Sequence, residues 1–421
     1  MTKASLVHSD GHDEVAKDLR SARSLLAVAG LFVVNGALIG GIGGTLPAMR
    51  QRLGVDTAGL AMLLVSLAAA ALVSMQIGGR LADSRGPRSV VFPASALLIA
   101  GVAALAFAPT LPLAAAAAAL AGLGNGAMDV SMNALGVRVE QARVKPVMSR
   151  LHAGFSVGNL AGAATVVLIA RLTGGADVVT PALVVLSAVS LVACVAISRW
   201  VPPTAGIRTV ERTDAGPRVP VFALLLGAMA FSFGLAEGTA VDWSSVHVTD
   251  VAQVEPSTGT LGLVAVSAFM VVIRLFGDRA VAAFGRANVV RFGGLMAAAG
   301  YLITLVGQPL PVLLAGWALV GLGVGMVAPQ VYAVAGHAGG GRMLAVVVTF
   351  GYGAFLIGPA IIGALTGRVG IRHAMVLPLV LCVVLVALSG ALSRSEQPRQ
   401  QSEEQPSEKP GEQPGEQLRL R

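Results

Sequence analysis

Three polar side chains lie four residues apart inside a long apolar segment: Asn125, Asp129 and Asn133. Residues with this spacing share one face of an α-helix. An ionised carboxylate in the middle of a lipid bilayer costs about 2.5–3.5 kcal/mol on insertion scales, so an unpaired Asp129 should take up a proton. The pattern predicts a polar helix face toward a water-filled cavity, with Asp129 as a proton or substrate site. The alternative is a buried carboxylate that neighbouring helices satisfy.

A second acidic residue, Glu237, lies in a later apolar segment and is a further candidate for the same chemistry. Asp242 follows five residues later, beside Trp243. Because five residues on an α-helix place two side chains about 140° apart, we expect Glu237 and Asp242 to serve different sites. An Asp–Trp pair at the end of a span is typical of the membrane interface, and this is the interpretation favoured for Asp242.

A third polar face is formed by His152, Ser156 and Asn159. A histidine can relay protons near neutral pH, but His152 lies beside Arg150 at the end of its segment, where a solvated or capping role is equally expected. Weaker candidates for lining a substrate cavity are Asn35, Gln330, Tyr332 and Tyr352. With three Tyr and three Trp in the chain, no aromatic platform for sugar stacking is predicted.

The composition places these residues in a membrane protein. Hydrophobic residues make up 55% of 421 positions, charged residues make up 12%, and the mean hydropathy is +0.77. A soluble domain needs more charge to cover its surface. The net charge of +8 is spread singly between apolar runs, which argues against a nucleic-acid partner. Cys194 and Cys382 lie inside apolar runs and are expected to act as small hydrophobes.

Apolar stretches of about 20 residues, the length that crosses about 30 Å of hydrocarbon, occur twelve times. They run over 24–48, 57–78, 89–108, 112–136, 151–171, 179–198, 220–243, 258–277, 289–307, 310–335, 344–367 and 373–393. The predicted regions are an N-terminal tail at 1–23, six-helix bundles at 24–198 and 220–393, a central loop at 199–219 and a disordered tail at 394–421. The first stretch is expected to remain as a helix and not to be cleaved as a signal peptide.

The positions of the basic residues predict the orientation. Of the 30 Lys and Arg residues, 25 fall in the two tails and in the connections on the same side as the N-terminus. Cytoplasmic connections are the ones enriched in Lys and Arg. We therefore expect both tails and the central loop to be cytosolic.

The connection after the second span reads Gly79-Arg-Leu-Ala-Asp83-Ser-Arg-Gly86-Pro-Arg88. Glycine at 79 permits close helix contact, glycine at 86 permits a tight turn, and the Asp83 carboxylate can cap a helix or pair with arginine. A related but degenerate segment follows the eighth span, from Arg274 to Arg286, in which Ala282 replaces the aspartate. Two copies separated by six spans are typical of an internal duplication.

This segment resembles the loop signature of the major facilitator superfamily, Gly-x-Leu-Ala-Asp-Arg-x-Gly-Arg-Arg, and departs from it at Ser84 and Pro87. The resemblance implies an all-α integral membrane fold, with twelve transmembrane helices in two pseudo-symmetric six-helix bundles. It also implies a conformational lock, with Asp83 near the start of helix 11 and near Arg138. The residues expected in this lock are Gly79, Asp83, Gly86, Arg88 and Arg138.

Three further segments are similar to a narrower branch, the fucose-permease-like and YbjJ-like bacterial proteins. They begin at Gly124, His152 and Leu235, and read GNGAMDVSMN, HAGFSVGN and LAEGTAVDWS. They leave the substrate open.

The function expected from the sequence is secondary active transport of a small solute by alternating access across the bacterial cytoplasmic membrane. Protons would couple through Asp129 or Glu237, and a sugar-like or other small polar metabolite is slightly favoured. The alternatives are an efflux antiporter for drugs or metabolites and a non-transporting sensor on the same fold. None of the four lysines follows a glycine, so an ATP-binding loop is not predicted. No enzymatic activity, metal or other cofactor is expected, and the chain is expected to be a monomer in lipid.

Overall fold

The computed structural model describes residues 19–143, 147–175, 177–202, 204 and 221–393, excluding the side chains of 278, 337–342, 344 and 345. The predicted C-terminal tail, most of the N-terminal tail and most of the central loop lie outside the described residues.

Twelve helices form the described part of the chain. They are α1 (Ala22–Leu53), α2 (Thr57–Arg85), α3 (Arg88–Ala106), α4 (Leu111–Gln141), α5 (Met148–Leu172), α6 (Val179–Ser198), α7 (Val221–Ala252), α8 (Leu261–Phe284), α9 (Arg286–Val306), α10 (Leu310–Val324), α11 (Val327–Ala374) and α12 (Val376–Leu388). Single helical turns at Pro256–Gly259 and Gly390–Ser393 accompany α8 and α12. Eleven segments are long and apolar enough to cross a membrane, and Val376–Leu392 is a shorter apolar one.

Local sequence signals set several helix ends. The Ser21 hydroxyl accepts the Ser24 amide at 3.1 Å and caps α1, and the Asp56 carboxylate caps α2 by accepting the Gly59 amide at 2.9 Å. Gly54 ends α1 in the left-handed region, with φ +62, a conformation that glycine adopts without steric cost. These caps satisfy backbone groups that a helix leaves unpaired at its ends.

The tenth span, Leu310–Gly336, agrees with the predicted 310–335, and the eleventh, Val346–Ala374, begins near the predicted 344 and ends later than the predicted 367. The helices that contain these spans divide elsewhere. The chain breaks at Gly325 and Met326, and α11 then continues from Val327 to Ala374 through the glycine-rich segment 336–341. That segment contains no proline, and each glycine costs a helix only about 1 kcal/mol, so the helix continues where a loop was expected. Gly370 has φ +80, so the backbone turns there, close to the predicted boundary between the last two spans.

The helix contacts repeat with a shift of six. In the first half α2 packs on α4, α1 on α5, α3 on α4, and both α1 and α3 on α6. The corresponding pairs, α8 with α10, α7 with α11, α9 with α10, and both α7 and α9 with α12, pack in the second half. Between the halves, α5 packs on α8 and α2 packs on α11. These two pairs are equivalent, because α8 corresponds to α2 and α11 corresponds to α5. This pattern confirms the predicted pseudo-symmetric fold of two six-helix bundles.

Glycines bring helix backbones into direct contact within the first half. A methyl group added at Gly36 of α1 would lie 2.0 Å from the Phe155 carbonyl oxygen of α5, and one at Gly158 would lie 2.1 Å from the Val33 oxygen of α1. Small residues permit this approach between membrane helices. The pair α1–α5 is therefore held backbone to backbone.

We call the end of the molecule at the connection between α1 and α2 the Arg50 end, and the opposite end, at the connection between α2 and α3, the Asp83 end. The two halves are also joined at the Arg50 end. At the Arg50 end, the Arg50 guanidinium forms a bidentate ion pair with Asp250 of α7. The Thr260 hydroxyl donates to the Gly44 carbonyl oxygen at 2.7 Å. These contacts join the two halves at the Arg50 end.

Candidate functional site: a central cavity between the halves

A cavity of about 270 Å³ lies between the two halves and is lined by α1, α2, α4, α5, α7 and α11. Most of its wall is apolar, with Ile39, Leu67, Met75 and Phe355 among the lining side chains. The polar lining residues are Asn35, Asn125, Asp129, Glu237, Asp242 and Tyr352. The cavity therefore combines an apolar wall with a small set of polar groups, as ligand sites commonly do.

Asp129 of α4 faces this cavity and touches the other half. The Tyr352 hydroxyl of α11 donates to its Oδ2 at 3.2 Å. On its own helix, Asn133 Nδ2 donates to Asp129 Oδ1 at 3.2 Å. Both partners are electrically neutral, so neither of them compensates a negative charge on Asp129. The carboxylate can exchange a proton without breaking an ion pair.

Glu237 of α7 is different because it is paired. The Arg274 guanidinium of α8 donates to Glu237 Oε1 at 3.0 Å, and the two side chains are 9% and 12% exposed. The same guanidinium donates to the Ser156 hydroxyl at 2.5 Å and to the Gly325 carbonyl oxygen at 3.1 Å. Its charge is thus balanced by Glu237, and each of its three nitrogens donates to a protein group.

Sequence reasoning missed Arg274 because it was counted among the basic residues of a cytosolic connection. It lies within the predicted span 258–277, and α8 continues to Phe284, so the guanidinium lies at the level of the cavity. A basic residue inside a predicted span was the available signal, since such residues usually pair with a partner in the bundle interior.

The expectation that Glu237 and Asp242 serve different sites was wrong. Glu237 and Asp242 both line the cavity, together with Gly238 and Val241. The four positions form one broad helix face, because 237 with 241 and 238 with 242 are each four apart. No hydrogen bond or ion pair to the Asp242 carboxylate occurs within the described part of the chain. Asp242 therefore presents an unpaired carboxylate to the cavity.

The two asparagines form a polar contact across the first half. Asn35 Nδ2 of α1 donates to Asn125 Oδ1 of α4 at 3.0 Å, and both side chains line the cavity. Asn125 and Asp129 are therefore on the cavity side, as their spacing predicts, while Asn133 supports Asp129 from one turn away.

The polar face of α5 joins the halves instead of lining the cavity. Asn159 is buried and accepts a hydrogen bond from the Ser267 hydroxyl of α8 at 3.0 Å, and Ser156 accepts from Arg274. His152 packs edge-on against Phe32, with ring centroids 5.4 Å apart. Gln330 is buried in α11 and is not among the cavity-lining residues.

The expected lock residues lie at the Asp83 end of the first half. Gly86 has φ +89 and forms the turn between α2 and α3, and Gly285 has φ +75 at the corresponding turn between α8 and α9. The Asp83 carboxylate lies near enough to Arg138 for an electrostatic interaction. Arg88 donates to the Ser198 carbonyl oxygen at 3.1 Å and to that of Val201, which ties α3 to the end of α6.

The expectation that Gly79 allows close helix contact was wrong. A methyl group at Gly79 would meet the Val130 side chain at 3.7 Å, an ordinary distance, whereas one at Gly78 would lie 3.0 Å from Ala127 Cα. The close approach of α2 to α4 at this level therefore depends on Gly78.

Two pseudo-symmetric bundles of membrane-spanning helices around a central cavity define the class of multi-pass membrane transport proteins. The chain matches the sequence model of the Major Facilitator Superfamily over residues 28–250 and 221–419. It belongs to this superfamily and is a membrane transporter of that type.

Relatives of known sequence agree with this assignment. The "Uncharacterized transporter y4wD" of Sinorhizobium fredii is 36% identical over 355 residues, which are 82% of this chain and 92% of that protein. An uncharacterized MFS-type transporter of Yersinia pestis is 30% identical, over 75% of this chain and 82% of its own. Membrane protein MosC of Rhizobium meliloti is 29% identical, over 84% of this chain and 86% of its own length.

Two solved structures share the fold. A point mutant of the nucleoside transporter NupG superposes with a TM-score of 0.68 at 12% identity, covering 89% of this chain and all of that one. A point mutant of the peptide transporter POT, in complex with alafosfalin, superposes with a TM-score of 0.69 at 15% identity. The match covers 91% of this chain and 99% of that one. The narrower resemblance to fucose-permease-like proteins stays a prediction.

Proposed function

We propose that this chain is a secondary active transporter that moves a small solute by alternating access and couples the movement to protons through Asp129. The observation that carries the proposal is the Asp129 carboxylate in the central cavity, with Tyr352 and Asn133 as its partners. Glu237, the other sequence candidate for coupling, is neutralised by Arg274. A carboxylate that can change its charge between the halves is what proton coupling requires.

Alternating access requires that each end of the interface open in turn. The ion pair between Arg50 and Asp250 joins the halves at the Arg50 end, and the predicted lock lies at the Asp83 end. We place the Asp83 end, both termini and the central loop on the cytosolic side of a bacterial cytoplasmic membrane, following the distribution of Lys and Arg.

Transport is tested with purified full-length protein in liposomes. Solutes that raise the melting temperature at two pH values are selected first, and each is then assayed for counterflow of labelled solute and for accumulation driven by a pH gradient. Counterflow with pH-driven accumulation is the expected result. Binding without counterflow would instead identify a sensor.

The Arg50–Asp250 pair yields a prediction about the closed state. Asp250→Asn should raise the ratio of open to closed Arg50 ends by about fivefold, since a partly exposed ion pair contributes about 1 kcal/mol; the two side chains are 17% and 28% exposed. The measurement is the distribution of distances between spin labels at the Arg50 ends of α1 and α7.

Asp177→Asn provides the matched control for this measurement. Asp177 also faces an arginine at the Arg50 end, Arg52 at 3.9 Å, but both belong to the first half. An equal shift in this control would show that general loss of charge, and not the contact between halves, moves the equilibrium.

The lock yields a second prediction at the opposite end. Asp83→Asn removes the charge that acts on Arg138 and should change the distribution of distances across the Asp83 end. Ser84→Ala, one residue away at the exposed end of α2, is the control. An unchanged distribution in Asp83→Asn would contradict a lock at this position.

A further inference from the structure

Building on the proposed function, we propose that the transported solute is a small organic cation, an amine with an apolar body, whose ammonium group binds the Asp242 carboxylate. The charges around the cavity support this assignment. Three carboxylates line it, those of Asp129, Glu237 and Asp242. Arg274 neutralises one of them, Glu237, and the described lining includes no Lys or Arg. The cavity therefore holds an excess of negative groups.

Asp242 is the carboxylate that lacks a protein partner. It is partly buried in α7 and lines the cavity, and within the described residues no donor reaches its oxygens. A carboxylate removed from water is costly unless a donor or an opposite charge satisfies it. Without a partner it takes up a proton, and an ammonium group in the cavity would replace that proton by supplying both the charge and the hydrogen bonds.

The position of Asp242 separates solute binding from proton binding. Asp242 lies on α7, in the second half of the chain. Asp129 lies on α4, in the first half, and its hydrogen-bond partners are Asn133 of α4 and Tyr352 of α11. A solute cation at Asp242 thus leaves Asp129 available for a proton.

The rest of the cavity fits an apolar body. Ile39, Ile42, Val241 and Phe355 line it with Asp242. Of the polar lining groups, Asn35 and Asn125 already bond to each other and Tyr352 bonds to Asp129, which leaves few partners for a ring of hydroxyl groups. An anionic solute would meet the Asp129 and Asp242 carboxyl groups, while the charge of Arg274 is already balanced by Glu237. The lining therefore favours an amphipathic cation over both a sugar-like solute and an anion.

Matched triplets of small solutes test this inference on the purified full-length protein. Each triplet carries an amine, its N-acetyl amide or a carboxylate on one apolar body, with cyclohexylmethyl, benzyl and indolylethyl as the bodies. We expect the amines to raise the melting temperature and the amides and carboxylates to leave it unchanged. Stabilisation by amides or carboxylates equal to that by amines, or no stabilisation by any amine, would overturn the proposal.

Variants of Asp242 then locate the site. Asp242→Asn should weaken amine binding by about thirtyfold or more, the effect of removing one partner of a buried charge pair. Asp242→Glu should retain most of it, and Asp56→Asn, a helix cap outside the cavity, should bind like the wild type. Undiminished binding to Asp242→Asn would overturn the proposal. If that variant does not fold, the triplets on the wild-type protein still decide between an amine and its neutral and anionic counterparts.

The outcomes separate this inference from the proposed function. Amine binding that depends on Asp242, without counterflow, would confirm the ligand class and contradict the proposed transport function. Counterflow and pH-driven accumulation of neutral solutes alone would confirm transport and contradict the proposal that the solute is an amine.

Discussion

Replacing Asp129 by asparagine should abolish accumulation driven by a pH gradient, while exchange of solute between the two sides remains measurable. Asparagine has the same shape: its amide oxygen can still accept from Asn133 Nδ2, and its amide nitrogen, which takes the place of Oδ2, can donate to the Tyr352 hydroxyl. The change removes only the ability to bind and release a proton, so the loss of coupling should be complete while the cavity stays intact. The measurement is the ratio of internal to external labelled solute at equal and unequal pH.

Asp56→Asn is the matched control for this loss. Asp56 caps α2 by accepting the Gly59 amide, and asparagine is an equally good capping residue, so this variant loses one carboxylate outside the cavity. Undiminished accumulation in Asp129→Asn would remove Asp129 from the mechanism. Loss of accumulation in Glu237→Gln alone would transfer the coupling role to Glu237.

The second large effect is expected at the contact between α1 and α5. Gly158→Ala should lower the stability of the protein by about 1–3 kcal/mol, the usual cost of overpacking, and should reduce the yield of folded protein. The added methyl group would lie 2.1 Å from the Val33 carbonyl oxygen and 2.9 Å from the Ala37 amide nitrogen. Backbone atoms cannot rotate out of the way, so the two helices must separate.

Gly353→Ala, in α11, is the control for helix propensity. No atom lies within 4 Å of a methyl group built at Gly353, and alanine favours a helix by about 0.5–1 kcal/mol over glycine. We therefore expect an equal or higher melting temperature in detergent for this variant and a lower one for Gly158→Ala. A melting temperature of Gly158→Ala equal to that of the wild type would contradict the close contact.

The fold and part of the cavity could be predicted from sequence because both depend on local rules. Span length, the distribution of Lys and Arg, and the repeated loop segment all act within a few tens of residues, and they led to the fold that the helix contacts confirm. The spacing of Asn125 and Asp129 likewise fixes a helix face, and both residues line the cavity. These features require no knowledge of which helices are neighbours.

What could not be predicted depends on contacts between distant segments. Nothing near Asn159 in the sequence indicates that Ser267 faces it, and the pairing of Arg274 with Glu237 requires the packing of α8 against α7. Spacing alone placed Glu237 and Asp242 on different sides of a helix, whereas the cavity extends around enough of α7 to include both. The shape of a cavity follows from tertiary packing, which single-helix geometry does not contain.

The backbone contact between α1 and α5 has a consequence for how the protein is made. Gly36 and Gly158 are about 120 residues apart in the sequence, so at a synthesis rate of about 5–20 residues per second α5 leaves the ribosome about 6–24 s after α1. During that interval the glycine face of α1 lacks the helix against which it packs in the folded protein. The first half therefore completes its packing only once α5 has been inserted.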